Sequence, residues 1–289
     1  MDGHLTAVVT GGGRGIGRAI AQALARDGAA VAVVARTSSE LDETVRLIAA
    51  AGGVARAWVA DVTDDAHVRQ IVREIEQQIG PIDLLVNNAG ALGPIGPFAS
   101  GALADWMSAL DVNLRGTVIC THAVASRMID RRSGRIINVA SGGGTVPITY
   151  FSSYVTSKTA VIRFTECLAD ELAPHRVFVF SVGPGTVRTA MSEYSLTSRE
   201  GQKWLPWFRR IFDEGLDLPA ERAAGLVARL ASGGCDALSG CFITPFDDLD
   251  AMLRDVPRIQ REHLHSLRLQ TLTPPPSKLA AITRAAEGR

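Results

Sequence analysis

Short apolar runs alternate with amphipathic stretches along most of this chain of 289 residues. The runs are rich in valine, isoleucine and alanine, and the stretches between them place apolar residues at helical spacing. This alternation predicts parallel strands joined by helices, and the nearly continuous apolar character of the runs is typical of strands covered on both faces. Seven strands are predicted, at residues 6–10, 29–35, 55–60, 82–86, 135–141, 177–182 and 241–244.

The alternation continues without a linker to residue 244, which predicts one large α/β domain over residues 1–244. Residues 245–289 form a C-terminal extension, in which helices are expected over 247–253 and 258–269. The last residues, from the triple proline at 274–276 onwards, are expected to be loosely ordered. We expect order as far as residue 269, because a stripe of apolar residues is available for burial: Leu249, Leu253, Ile259, Leu264 and Leu267.

Charge and cysteine content argue against several classes of function. Lysine plus arginine and aspartate plus glutamate both total 30, so the formal net charge is zero and no basic run suggests nucleic-acid binding. No apolar run reaches the roughly 18 residues that a membrane span needs. The cysteines show neither metal-ligand spacing nor a disulfide framework, which predicts buried thiols in the cytoplasm and no metal site. They are Cys120, Cys167, Cys235 and Cys241.

A glycine-rich turn separates the first predicted strand from the first predicted helix. It reads Thr10-Gly11-x-x-x-Gly15-Ile16-Gly17. Without a Cβ in the way, such a turn brings backbone N–H groups and a helix N-terminus close to a phosphate. Its position between a strand and a helix predicts dinucleotide binding.

Two arginines bear on which dinucleotide is bound. In NAD sites an acidic residue stands about twenty residues past the glycines and binds the ribose hydroxyls. Here the second strand ends at Ala35 and Arg36, and Arg14 adds a second cation within the glycine turn. Guanidinium groups bind phosphate in fork geometry. The sequence therefore predicts NADP(H) in preference to NAD(H).

Tyr154 and Lys158 are the strongest candidates for chemistry. Residues four apart lie on one face of a helix, and an ammonium beside a phenol favours the phenolate and lowers the pKa of the tyrosine. Ser141, at the end of the fifth predicted strand, can hold a substrate oxygen against that phenol. Together the three side chains make a device for moving a proton on and off an oxygen.

In these motifs the chain resembles the short-chain dehydrogenase/reductases, in the branch with a Tyr-x-x-x-Lys pair. The resemblance implies a single Rossmann-type, doubly wound parallel sheet of about seven strands, and it makes the helical C-terminal extension atypical. It is close over residues 5–190 and loose over 219–244. The residues that carry it are Thr10 to Gly17, Asp61, Val62, Asn87 to Gly90, Asn113, Ser141, Tyr154, Lys158, Pro184, Gly185 and Thr189.

The resemblance also implies roles for individual residues. Tyr154 would donate the proton, Ser141 would bind the carbonyl oxygen, and Lys158 would lower the pKa of Tyr154 and bind ribose hydroxyls. Asn113 would bend its helix and hold a water that reaches Lys158. The implied cofactor contacts are Gly11, Arg14, Gly15, Ile16, Gly17, Arg36, Asp61, Val62, Asn88, Gly90, Tyr154, Lys158, Pro184, Gly185, Val187 and Thr189.

In this family the segment after Pro184-Gly185 forms a lid over the substrate, here residues 190–218. Its aromatic content, including Trp204, Trp207 and Phe208, predicts an apolar or aromatic substrate. The leading hypothesis is an NADPH-dependent reductase that converts a ketone or aldehyde to an alcohol. At Phe180 the family commonly has an asparagine, and we expect the phenylalanine to pack within the sheet.

Two other functions remain open. A 3-oxoacyl-thioester or polyketide ketoreductase would need a basic docking patch beside the cleft, for which the sequence offers Arg131, Arg132, His175 and Arg176. A non-catalytic NADP(H) sensor or scaffold would not need the proton donor.

A homodimer or homotetramer is expected to form through helices at 104–130 and 154–173. The apolar residues predicted to form the interface are Val118, Val124, Met128, Val161, Phe164 and Leu168.

Overall fold

The computed structural model describes residues 5–269 and contains a seven-stranded parallel sheet in the order β3-β2-β1-β4-β5-β6-β7. β1 pairs with both β2 and β4, so the strand order reverses beside β1 and opens a crevice at the carboxyl ends of these strands. The strands are β1 Thr6–Thr10, β2 Ala30–Ala35, β3 Val54–Val59, β4 Leu84–Asn87, β5 Gly134–Val139, β6 Val177–Val182 and β7 Phe242–Ile243.

Helices cover both faces of the sheet, as the apolar runs predict. None of those in the described part of the chain is long and apolar enough to cross a membrane. They are α1 Gly15–Arg26, α2 Ser38–Ala50, α3 Asp65–Gln78, α4 Leu103–Leu110, α5 Gly116–Arg131, α6 Ser152–Leu172, α7 Ala190–Thr197, α8 Arg199–Trp204, α9 Phe208–Asp213, α10 Ala220–Ala231, α11 Leu249–Arg254 and α12 Val256–Glu262.

The core is divided by the sheet into two layers. Successive strand residues point to opposite faces, so Ala7 and Val9 pack with α1, α2 and α10, whereas Val8 packs with α3, α5 and α6. Phe180 is fully buried in the sheet, as expected from its apolar side chain.

A buried amide network ties β4 to β5 close to their carboxyl ends. The Asn87 Nδ2 donates to Asn138 Oδ1 and to Thr121 Oγ1, both at 2.9 Å. The Asn138 Nδ2 donates in turn to Thr165 Oγ1 on α6 at 2.9 Å. Because buried polar groups are costly unless they are hydrogen-bonded, this network strongly favours one register between sheet and helix. It therefore steadies the edge of the sheet where the predicted site residues lie.

The long helix predicted over residues 104–130 is interrupted. A π-helical segment, Asp111–Arg115, separates α4 from α5, and the Gly116 N–H donates to the carbonyl of Asp111 five residues back. Such an insertion shifts the register of the side chains on the two sides of it. The interruption falls at Asn113, where the family resemblance implies a bend.

The described part of the C-terminal extension, residues 245–269, folds back on its own subunit. Met252 and Ile259 are buried in the layer formed with α1 and α10. The helix predicted over 258–269 is wrong in its extent, since α12 ends at Glu262 and His263 follows with φ of 53°. The chain then runs along the outer edge of the sheet, where the Phe242 N–H donates to the carbonyl of His265 at 2.8 Å. The expectation for the residues after 269 lies outside the described part of the chain.

Half of the apolar residues predicted to form an interface pack inside the subunit. Val124, Met128 and Val161 are between 0% and 1% exposed, so they cannot meet a second copy. Their burial has a simple reason: α5 and α6 lie directly on the sheet and use these positions for that contact. Val118, at 37% exposure, remains accessible. Assembly through these helices stays a prediction.

We expect Ile259→Ala to lower the free energy of unfolding by about 2 kcal/mol, at the low end for a buried isoleucine because the site lies at the margin of the core. Leu264→Ala is the matched control, because Leu264 is 38% exposed and its loss should cost less than about 0.5 kcal/mol. Equilibrium urea denaturation of the full chain measures both. Equal, small effects would contradict docking of the extension on the core.

Candidate active site

The predicted cofactor residues gather at the carboxyl edge of the sheet, because each follows the end of a parallel strand. The loop after β4 is bonded to the glycine turn after β1: the Asn88 Nδ2 donates to the Thr10 carbonyl at 2.9 Å and to the Gly11 carbonyl at 3.3 Å. Asn88 thus holds the turn in place with its side chain. A direct contact of its amide with a cofactor is not needed to explain its position.

The glycine turn has the geometry of a phosphate cradle. Gly11 has φ of 63°, and a β-carbon at Gly17 would lie 2.2 Å from the carbonyl oxygen of Gly11, so a side chain would not fit there. Helix α1 begins at Gly15 without a side-chain cap and without an acidic residue in its first turn. Its first N–H groups are therefore left for an anion, which a helix N-terminus favours. The predicted residues at this turn fit the pyrophosphate of a dinucleotide.

The chain after β6 approaches the same cradle. A β-carbon at Gly15 would lie 3.3 Å from the Thr189 methyl carbon. Thr189 caps α7, and its side chain and that of Ser192 satisfy each other's backbone N–H groups. The base of the lid is closed by a hydrogen bond of 2.7 Å from the Leu218 N–H to the Thr186 carbonyl and by a parallel bridge between Val187 and Leu218. Pro184 and Gly185 lie between β6 and this closed base.

The two arginines predicted to select the cofactor each face a carboxylate. The Arg14 Nη1 lies 3.2 Å from Glu40 Oε1, and the Arg36 Nη1 lies 3.8 Å from Asp61 Oδ2. Both guanidinium groups are largely exposed. Hydrogen bonds from the backbone and hydroxyl of Thr63 hold the pKa of Asp61 below its usual value. Sequence reasoning missed Glu40, because it looked for an acidic residue at the end of β2 and not in the helix that follows.

Ser141, Tyr154 and Lys158 converge between β5 and α6. Ser141 Oγ accepts from the Gly143 N–H at 3.1 Å and lies beside the Tyr154 ring, since a β-carbon at Gly143 would lie 3.4 Å from Ser141 Oγ and 3.9 Å from Tyr154 Cε1. The Lys158 Nζ lies 5.9 Å from the centre of the Tyr154 ring and donates to the Val139 carbonyl at 2.7 Å. Tyr154 and Lys158 therefore lie on one face of α6, as their spacing of four residues predicts.

The proton affinities differ from the expectation in one respect. Burial raises the pKa of Tyr154, although the hydrogen bond with Ser141 acts in the opposite direction. The pKa of Tyr154 thus shifts upwards, opposite to the lowering by Lys158 that the sequence predicts. Burial lowers the pKa of Lys158 to about 8, which leaves its ammonium less strongly favoured than in water. Burial therefore favours the neutral phenol of Tyr154.

Asn113 is completely buried, and its side chain is fully engaged. Its Oδ1 accepts from the Ala91 N–H at 2.8 Å, while its Nδ2 donates to the Ala91 carbonyl at 2.8 Å and to Ser157 Oγ at 2.9 Å. The π-helical segment turns this amide towards the loop after β4. A β-carbon at Gly90 would lie 3.2 Å from Asn113 Oδ1 and 3.7 Å from Lys158 Nζ, so the three residues surround one small space.

An apolar cavity lies between the loop after β4, the start of α4 and the lid. It has a volume of about 290 Å³, and its lining includes Phe98, Leu103, Trp106 and Trp204, with Glu200 as the one charged residue. The Trp106 Nε1 donates to Ser152 Oγ at 3.0 Å, two residues before Tyr154. Tyr150 and Trp204 meet with ring centres 4.5 Å apart, which joins the lid to the segment between Ser141 and Tyr154.

The four basic residues that the sequence offers for a docking patch lie away from the cleft. Arg131 and Arg132 precede the start of β5, and His175 and Arg176 precede the start of β6. These are the amino ends of the strands, whereas the cleft lies at their carboxyl ends. These four residues therefore do not supply the docking patch that a ketoreductase acting on carrier-bound substrates would need beside the cleft.

A reversal of strand order, an uncapped glycine-turn helix and a Ser–Tyr–Lys cluster on one edge define a dinucleotide-binding oxidoreductase of the Rossmann type. A model of the short chain dehydrogenase family matches residues 5–200. The chain therefore belongs to the short-chain dehydrogenase/reductase family, whose members act on alcohol and carbonyl groups. This membership favours an enzyme over a non-catalytic sensor.

Individual relatives differ in substrate and cofactor. The chain is 40% identical over 194 residues to 2,3-dihydro-2,3-dihydroxybenzoate dehydrogenase of Bacillus subtilis (strain 168), which covers 67% of this chain and 74% of that one. A variant of actinorhodin polyketide ketoreductase with NADPH is similar with a TM-score of 0.76 and 32% identity, covering 83% of this chain and 95% of that one. The structure of NAD⁺-bound xylitol dehydrogenase is similar with a TM-score of 0.74 and 28% identity, and the match covers 83% of this chain and 96% of that one.

Proposed function

We propose that this protein reduces a ketone or aldehyde on an apolar or aromatic molecule to the alcohol, reversibly, with NADPH as the preferred cofactor. The observation that carries the proposal is the cluster of Ser141, Tyr154 and the buried Lys158, whose Nζ lies 5.9 Å from the centre of the Tyr154 ring. This cluster lies on the same edge of the sheet as the phosphate cradle. A proton donor and a dinucleotide site are thus adjacent.

The residues of the chain have distinct tasks in this reaction. Bound NADPH supplies the hydride that reaches the carbonyl carbon. Ser141 holds the carbonyl oxygen through a hydrogen bond, and Tyr154, a neutral phenol, donates its proton to that oxygen. The buried Lys158 ammonium stabilises the phenolate that remains and offers its donors to the nicotinamide ribose hydroxyls. Asn113 positions the backbone around this space, through which the proton is restored.

The preference for NADPH rests on the exposed guanidinium groups of Arg14 and Arg36 at the mouth of the cradle. A charged contact to the 2′-phosphate contributes roughly 1.5–3 kcal/mol, which is about ten- to hundredfold in affinity. Asp61 and Val62 follow β3 at the same edge of the sheet, and we propose that they contact the adenine; the Asp61 carboxylate lies 3.8 Å from the Arg36 Nη1.

We expect the wild-type chain to bind NADPH at least about tenfold more tightly than NADH, and Arg36→Asp to invert that order. The new carboxylate would repel a 2′-phosphate and would accept hydrogen bonds from a free ribose. Fluorescence titration with each cofactor measures both proteins. Arg69→Asp, on the exposed side of α3, is the control and should leave the order unchanged. Equal affinity of the wild type for the two cofactors would show the preference to be wrong.

The substrate class rests on the cavity and the lid. Most residues of its lining are apolar, three of them aromatic (Phe98, Trp106 and Trp204), and Ser100, Ser152 and Glu200 are the polar ones, so we expect an apolar or aromatic substrate to fit better than a sugar. The Bacillus subtilis relative acts, by its name, on a six-membered carbocyclic acid. A panel that contains aromatic ketones, aliphatic ketones and sugars, with NADPH consumption as the readout, tests this choice. Faster turnover of sugars than of aromatic ketones would overturn it.

A polyketide or 3-oxoacyl-thioester ketoreductase is the second candidate. It is favoured by the similarity to actinorhodin polyketide ketoreductase and by two exposed cations on the lid, Arg199 and Lys203, which are next in the chain to the cavity-lining Glu200 and Trp204. Free and carrier-bound forms of one 3-oxoacyl group distinguish the two candidates. A strong preference for the carrier-bound form would favour this second function.

A further inference from the structure

Glu40 is held against the glycine turn by its own backbone. The Arg18 Nη2 donates to the carbonyls of Gly13 and Glu40, and the Arg18 Nε donates to Thr44 Oγ1 at 3.0 Å. The buried Thr44 hydroxyl in turn contacts the carbonyls of Gly12 and Gly13 at 3.0 and 3.1 Å. These contacts fix the first turns of α2 on the cradle, so the place of Glu40 does not depend on its own side chain.

The side chain of Glu40 therefore lies beside the glycine turn. A β-carbon at Gly13 would lie 2.9 Å from the Cβ of Glu40, and the carboxylate of Glu40 reaches Arg14 at 3.2 Å. An acidic residue that reads the ribose is expected at the end of β2, where this chain has Ala35 and Arg36. The fold returns a carboxylate to the neighbourhood of that position from the following helix.

We propose that Glu40 is a specificity-determining residue that limits the preference for NADPH. It competes with the 2′-phosphate for the Arg14 guanidinium, and its own charge repels the phosphate. This inference rests on the proposed use of a nicotinamide dinucleotide at the cradle. It concerns the balance between the two cofactors and not which of them is preferred.

Glu40 has two opposing effects on the affinity for NADPH, and the larger one decides whether its removal strengthens or weakens binding. The ion pair orders Arg14 before a ligand arrives, which favours phosphate binding. However, the Arg14 side chain is 65% exposed even in the pair, so little of its freedom is lost. Two effects weaken NADPH binding. The Arg14–Glu40 ion pair must break before Arg14 can bind the 2′-phosphate, and the Glu40 carboxylate repels that phosphate, which carries nearly two negative charges. Competition outweighs ordering, and removing the charge of Glu40 should strengthen NADPH binding.

The test compares Glu40→Gln with Glu43→Gln, a matched control on the same helix. Glu43 pairs instead with Arg46 at 2.8 Å, one turn further along α2. Titrations with NADPH, NADH and 2′-AMP at low ionic strength are the measurements. In Glu40→Gln we expect the Kd for NADPH and 2′-AMP to fall roughly three- to tenfold and that for NADH to change by less than about twofold. Glu43→Gln should match the wild type.

A double-mutant cycle with Arg14→Gln separates competition for the arginine from direct repulsion. If competition contributes, Glu40→Gln should strengthen NADPH binding less in the Arg14→Gln protein than in the wild type. An unchanged or weaker affinity of Glu40→Gln for NADPH, with thermal stability like that of the wild type, would overturn the inference. A wild type that prefers NADH would instead overturn the proposed cofactor preference. The effect of Glu40 would then still be decided by the change in the Kd for NADPH between the wild type and Glu40→Gln.

Discussion

Tyr154→Phe is expected to lower kcat for carbonyl reduction by at least about a thousandfold, while the Kd for NADPH stays within about twofold of the wild type. The substitution removes one oxygen and keeps the ring, which stacks on Phe151 with ring centres 4.8 Å apart. The packing around the site therefore survives. What disappears is the proposed proton donor.

The matched control is Tyr194→Phe, which removes the same hydroxyl from a ring that is 51% exposed on α7. Its kcat should stay within about threefold of the wild type. Steady-state kinetics with the best ketone of the panel, together with NADPH titration, measure both variants. Turnover by Tyr154→Phe at a wild-type rate would remove the proposed proton donor, whereas a parallel loss of NADPH affinity would indicate a disturbed fold.

The parts of the fold that sequence reasoning predicted are those governed by local rules. Strands buried on both faces leave continuous apolar runs, and β6 lies at the predicted residues, Val177–Val182. The glycine turn is equally local, since its backbone conformation and close approach exclude side chains. The convergence of Ser141 and Tyr154 followed from a general property of parallel sheets, whose carboxyl ends meet at one edge.

The features that were missed depend on contacts between distant segments. Glu40 reaches the glycine turn only because Arg18 and Thr44 hold α2 there, and no periodicity reveals such a contact. From the sequence, the apolar residues of α5 and α6 could face either the sheet or a second subunit. In the structure Val124 and Met128 face the sheet and are buried against it. Burial of Lys158, and hence its pKa, is likewise a property of the assembled site.

Burial of the Lys158 ammonium lowers the stability of the fold, whereas its charge is proposed to assist proton transfer at Tyr154. The pKa of the amine falls from 10.5 to about 8, so the charged form is disfavoured in the folded protein by on the order of 3 kcal/mol at neutral pH. The hydrogen bond to the Val139 carbonyl returns roughly 1 kcal/mol. A buried ammonium that costs stability is understandable if the reaction needs a positive charge next to Tyr154.

Lys158→Met should therefore lower kcat by at least about a hundredfold and raise the free energy of unfolding of the ligand-free protein by roughly 1–2 kcal/mol at pH 7. The unfolded lysine holds its proton up to about pH 10.5, and the folded one releases it near pH 8. Between these values the unfolded state binds more protons, so the wild type gains stability as the pH rises. The advantage of the variant should be largest below pH 8 and shrink towards pH 10.5.

Urea denaturation between pH 6.5 and 10, in parallel with steady-state kinetics, tests both halves of this expectation. Lys203→Met is the control, because Lys203 is exposed on α8 and its loss should change the free energy of unfolding by less than about 0.5 kcal/mol at every pH. A variant at position 158 that is less stable than the wild type at pH 7 would show that the charge is well compensated in the fold. A stable variant with full activity would show that the reaction does not use the charge. Because the site is proposed to trade stability for a proton-transfer environment, we expect the gain in stability and the loss of turnover to occur together in this one substitution.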